Sequence, residues 1–268
     1  GLESLYNNTT AGSNTALGYQ TLRANTTGTQ NTAVGTNALV ANTTGNYNTA
    51  TGYNALDANT TAEKTSAYGY YSLSNNTTGA SNTAMGAQAL QENTTGGNNT
   101  ATGYQSLKAN TTGHSNTAMG FEALNENTTG NYNIAIGRSA LLTCSTASDT
   151  VAIGYTALTL ATGGRNTAVG SLAGDSVTTG NGSVFIGYDC AAYANNTTTG
   201  ADNVYIGAFA RGSSATVNNE IAIGRYVLGQ GTDTATVGIN GNGATISIDG
   251  SDTSWAAHSD ERLKENIT

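Results

Sequence analysis

The sequence predicts an all-β fold, a parallel β-solenoid of about 14 rungs on a 17-residue repeat. Three observations lead there. The first is the period: Gly1, Gly18, Gly35, Gly52, Gly69, Gly86, Gly103, Gly120, Gly137 and Gly154 lie 17 residues apart, and the spacing then loosens through Gly170, Gly187, Gly207, Gly224 and Gly238. The second is composition. Of 268 residues, 47 are Thr, 33 Asn and 35 Gly, none is Pro, and only 10% are charged. An average soluble domain carries about 25% charge, and disordered chains are richer in charge and proline. The third is unit length: a helix–turn–helix repeat needs about 34 residues, so a 17-residue unit suits one β coil instead.

One unit reads Gly18-Tyr-Gln-Thr-Leu-Arg-Ala-Asn-Thr-Thr-Gly-Thr-Gln-Asn-Thr-Ala-Val34. Leu recurs four residues after the Gly (Leu22 to Leu158), Ala two before it (Ala16 to Ala152), and an Asn-Thr-Thr triplet starts at Asn8, Asn25, Asn42 and onward to Asn127. Asn and Gly tolerate left-handed backbone, so the unit reads as two strands of about five residues joined by two tight turns. Rungs stacked at about 4.8 Å give a rod about 65–70 Å long. Leu and Ala columns make a thin lumen. Later units become Asn133-Ile-Ala-Ile136, Thr150-Val-Ala-Ile153, Ser183-Val-Phe-Ile186 and Glu220-Ile-Ala-Ile223, so alternation makes both strand faces apolar. One face fills the lumen and the other needs a partner, for which another copy of the chain is the simplest candidate. Which face is which stays open, because Phe185 and Tyr205 fall in the Ala column. The roll is assigned to residues 1–238. Residues 239–258, with the alternating Ala244-Thr-Ile-Ser-Ile-Asp249 and Trp255, are assigned to a neck that caps it.

A net charge of −8 argues against a nucleic-acid partner. No apolar stretch approaches membrane-spanning length, so no membrane insertion is expected. Gly1 already lies inside a repeat, and the chain reads as part of something longer. The Asn-x-Thr sequons, beginning with Asn8 and Asn25, keep register with the turn and read as turn residues rather than glycan acceptors. Stacked Thr suggests ice-binding solenoids, but Thr26 and Thr27 are adjacent and point apart, which makes that a minor reading. Cys144 and Cys190 occupy different slots and read as buried thiols rather than a disulfide. His114 and His258 have no neighbouring His or Cys, so no metal or other cofactor is expected. Gly238-Ile-Asn-Gly-Asn-Gly243 lacks a following helix and reads as a turn. Asp149, Asp175, Asp189, Asp202 and Asp233 show no common register, so no carboxylate pair for glycosidase chemistry can be placed. Tyr19, Tyr53, Tyr70, Tyr104, Phe121 and Tyr155 follow the rung Gly directly. They read as a stacking ladder that stiffens the roll, or as an exposed stripe for glycan or receptor contact.

Asn133-Ile-Ala-Ile-Gly137, Thr150-Val-Ala-Ile-Gly154 and Glu220-Ile-Ala-Ile-Gly224 resemble the repeat of trimeric autotransporter adhesin heads. The resemblance implies a left-handed parallel β-roll with three chains side by side, an elongated homotrimer. Long Asn-Thr-Ala arrays also resemble tail-fibre proteins of phages and related injection machines. Ser259-Asp-Glu-Arg-Leu-Lys-Glu-Asn-Ile267 resembles the opening of the endosialidase-type intramolecular chaperone, whose start would occupy residues 259–268. That family implies trimerisation followed by self-cleavage before Ser259, with Lys264 as its partner; a Ser hydroxyl needs a base, and a desolvated Lys can serve. Together these imply an extracellular, virion-borne fibre with no other enzymatic activity. Its partners would be a host receptor, either glycan or outer-surface protein, and other tail or baseplate proteins. The alternative is a bacterial surface adhesin of the autotransporter type.

Overall fold

A computed structural model describes residues 1–192 and 198–250, together with the backbone of 256–258. The chain divides into two compact units, Gly1–Ser148 and Asp149–Thr268, and both are all-β.

Unit 1 holds eight short strands: β1 Thr15–Leu17, β2 Thr32–Val34, β3 Thr49–Thr51, β4 Ser66–Tyr68, β5 Thr83–Met85, β6 Thr100–Thr102, β7 Thr117–Met119 and β8 Ile134–Ile136. Each pairs with the next in parallel and in register, Ala33 on Ala50 and Ala50 on Ala67, so every coil lies squarely over the one before. This is the expected parallel solenoid on a 17-residue spacing. The coil itself differs from expectation. It carries one three-residue strand, not two of about five. Three non-glycine positions per coil have positive φ, as at Gln20 (54°), Leu22 (51°) and Gln30 (59°), and left-handed residues interrupt extended backbone. The Asn-Thr-Thr triplet and its Gly, expected to supply that geometry, do not. Each left-handed non-glycine residue costs about 1–2 kcal/mol. Burial of Leu22, which has no exposed surface, returns about 1.5–3 kcal/mol. Its N–H also donates to the Ala38 carbonyl of the next coil at 3.1 Å. The rung Gly is required in its own right: Gly52 has φ 138°, and an added Cβ would collide with the Gly69 carbonyl.

Inside the coil the strand face question is settled. Ala33, Ala50, Ala67, Ala84, Ala101, Ala118 and Ala135 are fully buried, so the Ala column lines the lumen, and the flanking strand residues face outward. The lumen is not simply Leu and Ala. Two columns of asparagine run through it, both with no exposed surface from Asn25 and Asn31 onward. In the first, each Nδ2 donates to the Oδ1 one coil earlier: Asn42 to Asn25 at 2.8 Å, Asn59 to Asn42 at 2.8 Å and Asn93 to Asn76 at 2.7 Å. The same amide also donates within its own turn, Asn25 to the Gly28 carbonyl at 2.9 Å. In the second, the side-chain oxygen accepts the backbone N–H one coil later, as Asn31 does from Asn48 N at 2.9 Å, while its Nδ2 donates to the Gly45 carbonyl at 2.8 Å. The first Thr of each triplet adds a third line, Thr43 Oγ1 donating to the Thr60 carbonyl at 3.0 Å.

Unit 2 continues the motif with β9 Val151–Ile153, β10 Thr167–Val169, β11 Val184–Ile186, β12 Val204–Ile206 and β13 Ile221–Ile223, all parallel. β14 Thr234–Ile239 pairs parallel with β13 and then antiparallel with β15 Asn242–Ser247, and β16 Ala256–His258 adds an antiparallel edge. The Gly238–Gly243 segment is therefore a hairpin turn, with Asn240 and Gly241 at φ 53° and 80°. Trp255 lies outside the described residues.

Phe185 and Tyr205 do line the lumen, and both are fully buried. They fit because the large and small slots exchange. A coil of unit 1 pairs Leu39 with Ala50, whereas here Gly174 faces Phe185 and Ala191 accompanies Tyr205. An added Cβ at Gly174 would press on the Phe185 ring at 2.9 Å. Total volume is kept, which is the condition for a close-packed interior.

Candidate functional site

The aromatic residues that follow the rung Gly point outward and remain about half exposed, from 44% at Tyr19 to 54% at Tyr70. In unit 1 the structure brings four of them together in pairs. Tyr53 and Tyr70 stack at 5.7 Å with planes 18° apart, and Tyr104 stacks on Phe121 at 5.3 Å and 23°. Tyr71 stands edge-on to both members of the first pair, at 5.5 and 4.5 Å. Arg138 caps the second, its guanidinium 5.6 Å from the Phe121 ring centre. Tyr19 has no ring partner among the described residues, because Leu2 and Thr36 hold the matching positions in the adjoining coils. Tyr155 belongs to unit 2, where Tyr188, Phe209 and Tyr226 form a separate cluster; Phe209 and Tyr226 stack at 4.4 Å and 3°.

Beside these rings run the third and sixth residues of each coil, which the sequence reading did not single out. Asn37 donates to Asn54 Oδ1 at 3.0 Å, and Gln105 donates to Gln88 Oε1 at 2.8 Å. Three oxygens here are shut off from water and accept no hydrogen bond: Asn37 Oδ1, Asp57 Oδ1 and Gln91 Oε1. Such stranded acceptors cost about 1–3 kcal/mol each. Burial pushes the Asp57 carboxyl up to about 6, against the pull of its own N–H and that of Ala58. In unit 2 burial likewise raises Asp175, despite the Ser176 hydroxyl donating to it, and the Asp189 charge adds to the rise.

A second arrangement unseen in the sequence is Glu220. It replaces Asn in the second ladder and is fully buried. Its N–H donates to Asn203 Oδ1 at 2.9 Å. Its carboxyl oxygens accept from the Tyr205 hydroxyl at 2.8 Å, Ser213 N–H at 3.1 Å and Gly231 N–H at 2.7 Å. An added Cβ at Gly229 would collide with that carboxyl group. Glu220 ties two surface loops to the lumen, and with its carboxyl oxygens taken up by these donors it is a structural tie. The signal was present: Glu stands where Asn31, Asn48 and Asn203 occupy the slot before the strand.

Three of the five scattered aspartates share a register after all, while Asp175 and Asp189 stand at other coil positions. Asp149, Asp202 and Asp233 share one left-handed turn position with Gln30, at φ 60°, 58° and 58°. Insertions between rungs hid that register. Among the described residues no group of three or more His, Cys, Asp or Glu could hold a metal ion. No helix among them is long and apolar enough to cross a membrane. Cys144 and Cys190 are free and buried, their thiols raised by burial to about 11 and about 12, which leaves them inert as nucleophiles. The sequon residue Asn25 is fully buried, with no room for a glycan. Thr-x-Thr does face outward, at Thr49-Ala-Thr51 and Thr100-Ala-Thr102, but Tyr68, Met85 and Met119 stand in the same column and break the flat array that ice binding needs.

The outer strand face changes along the chain. In unit 1 its first column is hydroxyl from β1 to β7, at Thr15, Thr32, Thr49, Ser66, Thr83, Thr100 and Thr117, and Ile134 takes that place in β8. In unit 2 both columns are aliphatic: Val151 and Ile153, Val184 and Ile186, Val204 and Ile206, Ile221 and Ile223. Thr167 alone interrupts them among these five strands. Ser259 and Lys264 lie outside the described residues. No family model, curated protein or solved structure matches the chain.

Proposed function

We propose that the chain is the shaft or receptor-binding region of a homotrimeric, phage-type tail fibre, a left-handed β-roll that attaches to a host surface through glycan or outer-surface protein. The observation that carries this reading is the outward Val/Ile face of unit 2. Its residues are neither lumen nor turn, they recur on consecutive strands, and they remain partly open, Ile186 at 38%. A contiguous aliphatic face of this kind marks an interaction surface. A surface repeated with the coil is matched most simply by the same surface on another copy, around an axis parallel to the stack. Three chains then present three copies of every exposed side chain, so weak contacts add by avidity. The Ser259–Lys264 motif supports the tail-fibre version, in which a C-terminal chaperone registers the chains and cleaves itself away.

Light scattering during size exclusion tests the assembly. A mass near three times 27.0 kDa is expected, and a monomer at working concentration sinks the reading. In the precursor that includes the chaperone, Ser259→Ala is expected to keep the two parts joined; efficient release from that variant removes the cleavage assignment.

A further inference from the structure

We infer that Tyr53 and Tyr71 form an oxidative cross-linking site, at which hydrogen peroxide and a haem peroxidase join the two rings into a dityrosine that staples one coil of unit 1 to the next. The inference goes beyond attachment and does not depend on it. The geometry that points to it is a cluster of three phenols on two adjoining coils. Tyr53 follows Gly52, Tyr70 and Tyr71 follow Gly69, and the three ring centres lie 5.7, 5.5 and 4.5 Å apart. The Tyr71 N–H donates to the Tyr53 carbonyl at 3.0 Å, so the backbones beneath the two rings are fixed against each other across the coils. Ring packing alone does not call for phenols on both sides: elsewhere Tyr104 packs on Phe121, and Tyr188 and Tyr226 pack on Phe209. Tyr53 is 45% exposed and Tyr71 partly so, within reach of an oxidant at the surface.

The chemistry selects the pair. Each phenol gives up one electron and its hydroxyl proton, which leaves a phenoxyl radical with spin on the ring carbons beside the oxygen. One such carbon from each ring couples to the other, a C–C bond forms, and each carbon then passes its proton to its oxygen, restoring both hydroxyls. In balance the protein loses two hydrogen atoms, and these reduce one hydrogen peroxide to two waters at the peroxidase haem. The new bond lies in the plane of both rings and leaves them twisted about it, so ring edges must meet. Tyr53 and Tyr70 stack face to face, 18° apart, and present no edges to each other, whereas Tyr71 stands edge-on to Tyr53 at 63°. Tyr70 and Tyr71 are nearer, but they are consecutive residues, and a bond between them would close a small strained ring and reach no second coil. A bond from Tyr53 to Tyr71, 18 residues on, closes a loop that restricts the unfolded chain as a disulfide of that span does.

The full chain is treated with a haem peroxidase and hydrogen peroxide and followed by the blue emission of dityrosine, excited in the near ultraviolet where tyrosine does not absorb. Tryptic cleavage after Arg23, Lys64 and Lys108 places Tyr53 and Tyr71 on separate peptides, 24–64 and 65–108. Mass spectrometry is expected to find these two peptides joined, lighter than their sum by two hydrogen atoms, with fragmentation locating the bond at Tyr53 and Tyr71. Tyr53→Phe and Tyr71→Phe keep the rings and therefore the packing, and each is expected to lose at least tenfold of the joined peptide. Tyr70→Phe is expected to lose less than twofold. The midpoint of thermal unfolding is expected to rise by about 5 °C or more once the bond has formed. The site is overturned by the absence of the joined pair, by a bond confined to peptide 65–108 or formed between two chains, by an undiminished yield in Tyr71→Phe, or by an unchanged unfolding midpoint.

Discussion

Units 1 and 2 wind the same coil and fill it with different chemistry. In unit 1 the eighth residue of each coil is Asn, and its amide joins a continuous line from Asn8 to Asn127. The line ends at Cys144, whose thiol reaches only the Ala147 carbonyl at 3.8 Å, and Asn127 Oδ1 is left without a donor. In unit 2 the same slot is Ala161 and Val177. Outside, the first strand column also changes, its hydroxyls in β1 to β7 giving way to Val and Ile, while the second column is mostly apolar in both units. The lesson is that a thin lumen can be held in two ways. Directional bonds set the register in unit 1, where apolar area is scarce. In unit 2 the second ladder persists, Ser183 N–H donating to Asn166 Oδ1 at 3.0 Å and Asn203 Nδ2 to the Val217 carbonyl at 2.8 Å, and volume swapped between the Leu and Ala slots stands in for the first, with Phe185 and Tyr205 filling the space.

That contrast can be broken experimentally, and the largest effect is expected at the outer face. Ile186→Glu places a charge on the aliphatic columns of unit 2 and is expected to dissociate the assembly, read as a fall in mass by light scattering. Thr102→Glu, its counterpart in unit 1, is expected to leave the mass unchanged. Loss of assembly from both would mean the two faces are equivalent. Next is Glu220→Ala, which removes the acceptor of the Tyr205 hydroxyl and of the Ser213 and Gly231 N–H groups. A loss of about 3–5 kcal/mol in chemical denaturation is expected, and less than about 1 kcal/mol would show the tie to be dispensable.

Asn76→Leu removes the donor to Asn59 Oδ1 and to the Gly79 carbonyl and the acceptor for Asn93 Nδ2. About 3 kcal/mol is expected to be lost, whereas Val177→Ala in the corresponding slot of unit 2 loses about 1–2 kcal/mol. Equal losses would erase the distinction between the units. The smallest effect is at Asp57. Its carboxyl titrates higher in the fold than in the unfolded chain, so its contribution is fully present below about pH 4 and is lost as pH rises through about 6. Asp57→Asn is expected to flatten that loss and to gain about 1 kcal/mol above pH 6, after allowing for solvent screening of a half-exposed group. A variant whose stability follows the parental pH curve would refute the assignment.

The sequence made the solenoid, its period and the turn at Gly238–Gly243 legible, because Gly and Leu repeat without a slip over ten coils and no helix pattern follows that turn; the antiparallel pairing around it came from the structure. It hid the conformation of the coil. Left-handed backbone is normally flagged by Gly or Asn, and here Leu22, Gln20 and Gln30 adopt it, held by hydrogen bonds to other coils that no local pattern reveals. The lumen face was ambiguous for a related reason: Phe185 and Tyr205 look out of place until Gly174 and Ala191 are seen across from them. The aromatic pairs could be read from spacing. Asp57 and Gln91 could not, since an unpartnered oxygen is a property of the folded surroundings alone.

Every bond from one asparagine side chain to the next in the first line joins residues 17 apart, and this stays true however many coils there are. A longer array therefore meets no greater loop-closure entropy per contact, and its relative contact order falls as it grows. Insertion or deletion of one whole unit by gene slippage should be nearly silent for folding, while a shift of one or two residues would unseat every amide beyond it. The length of such an array is then free to drift between relatives in steps of seventeen, and selection can adjust reach without redesigning the lumen.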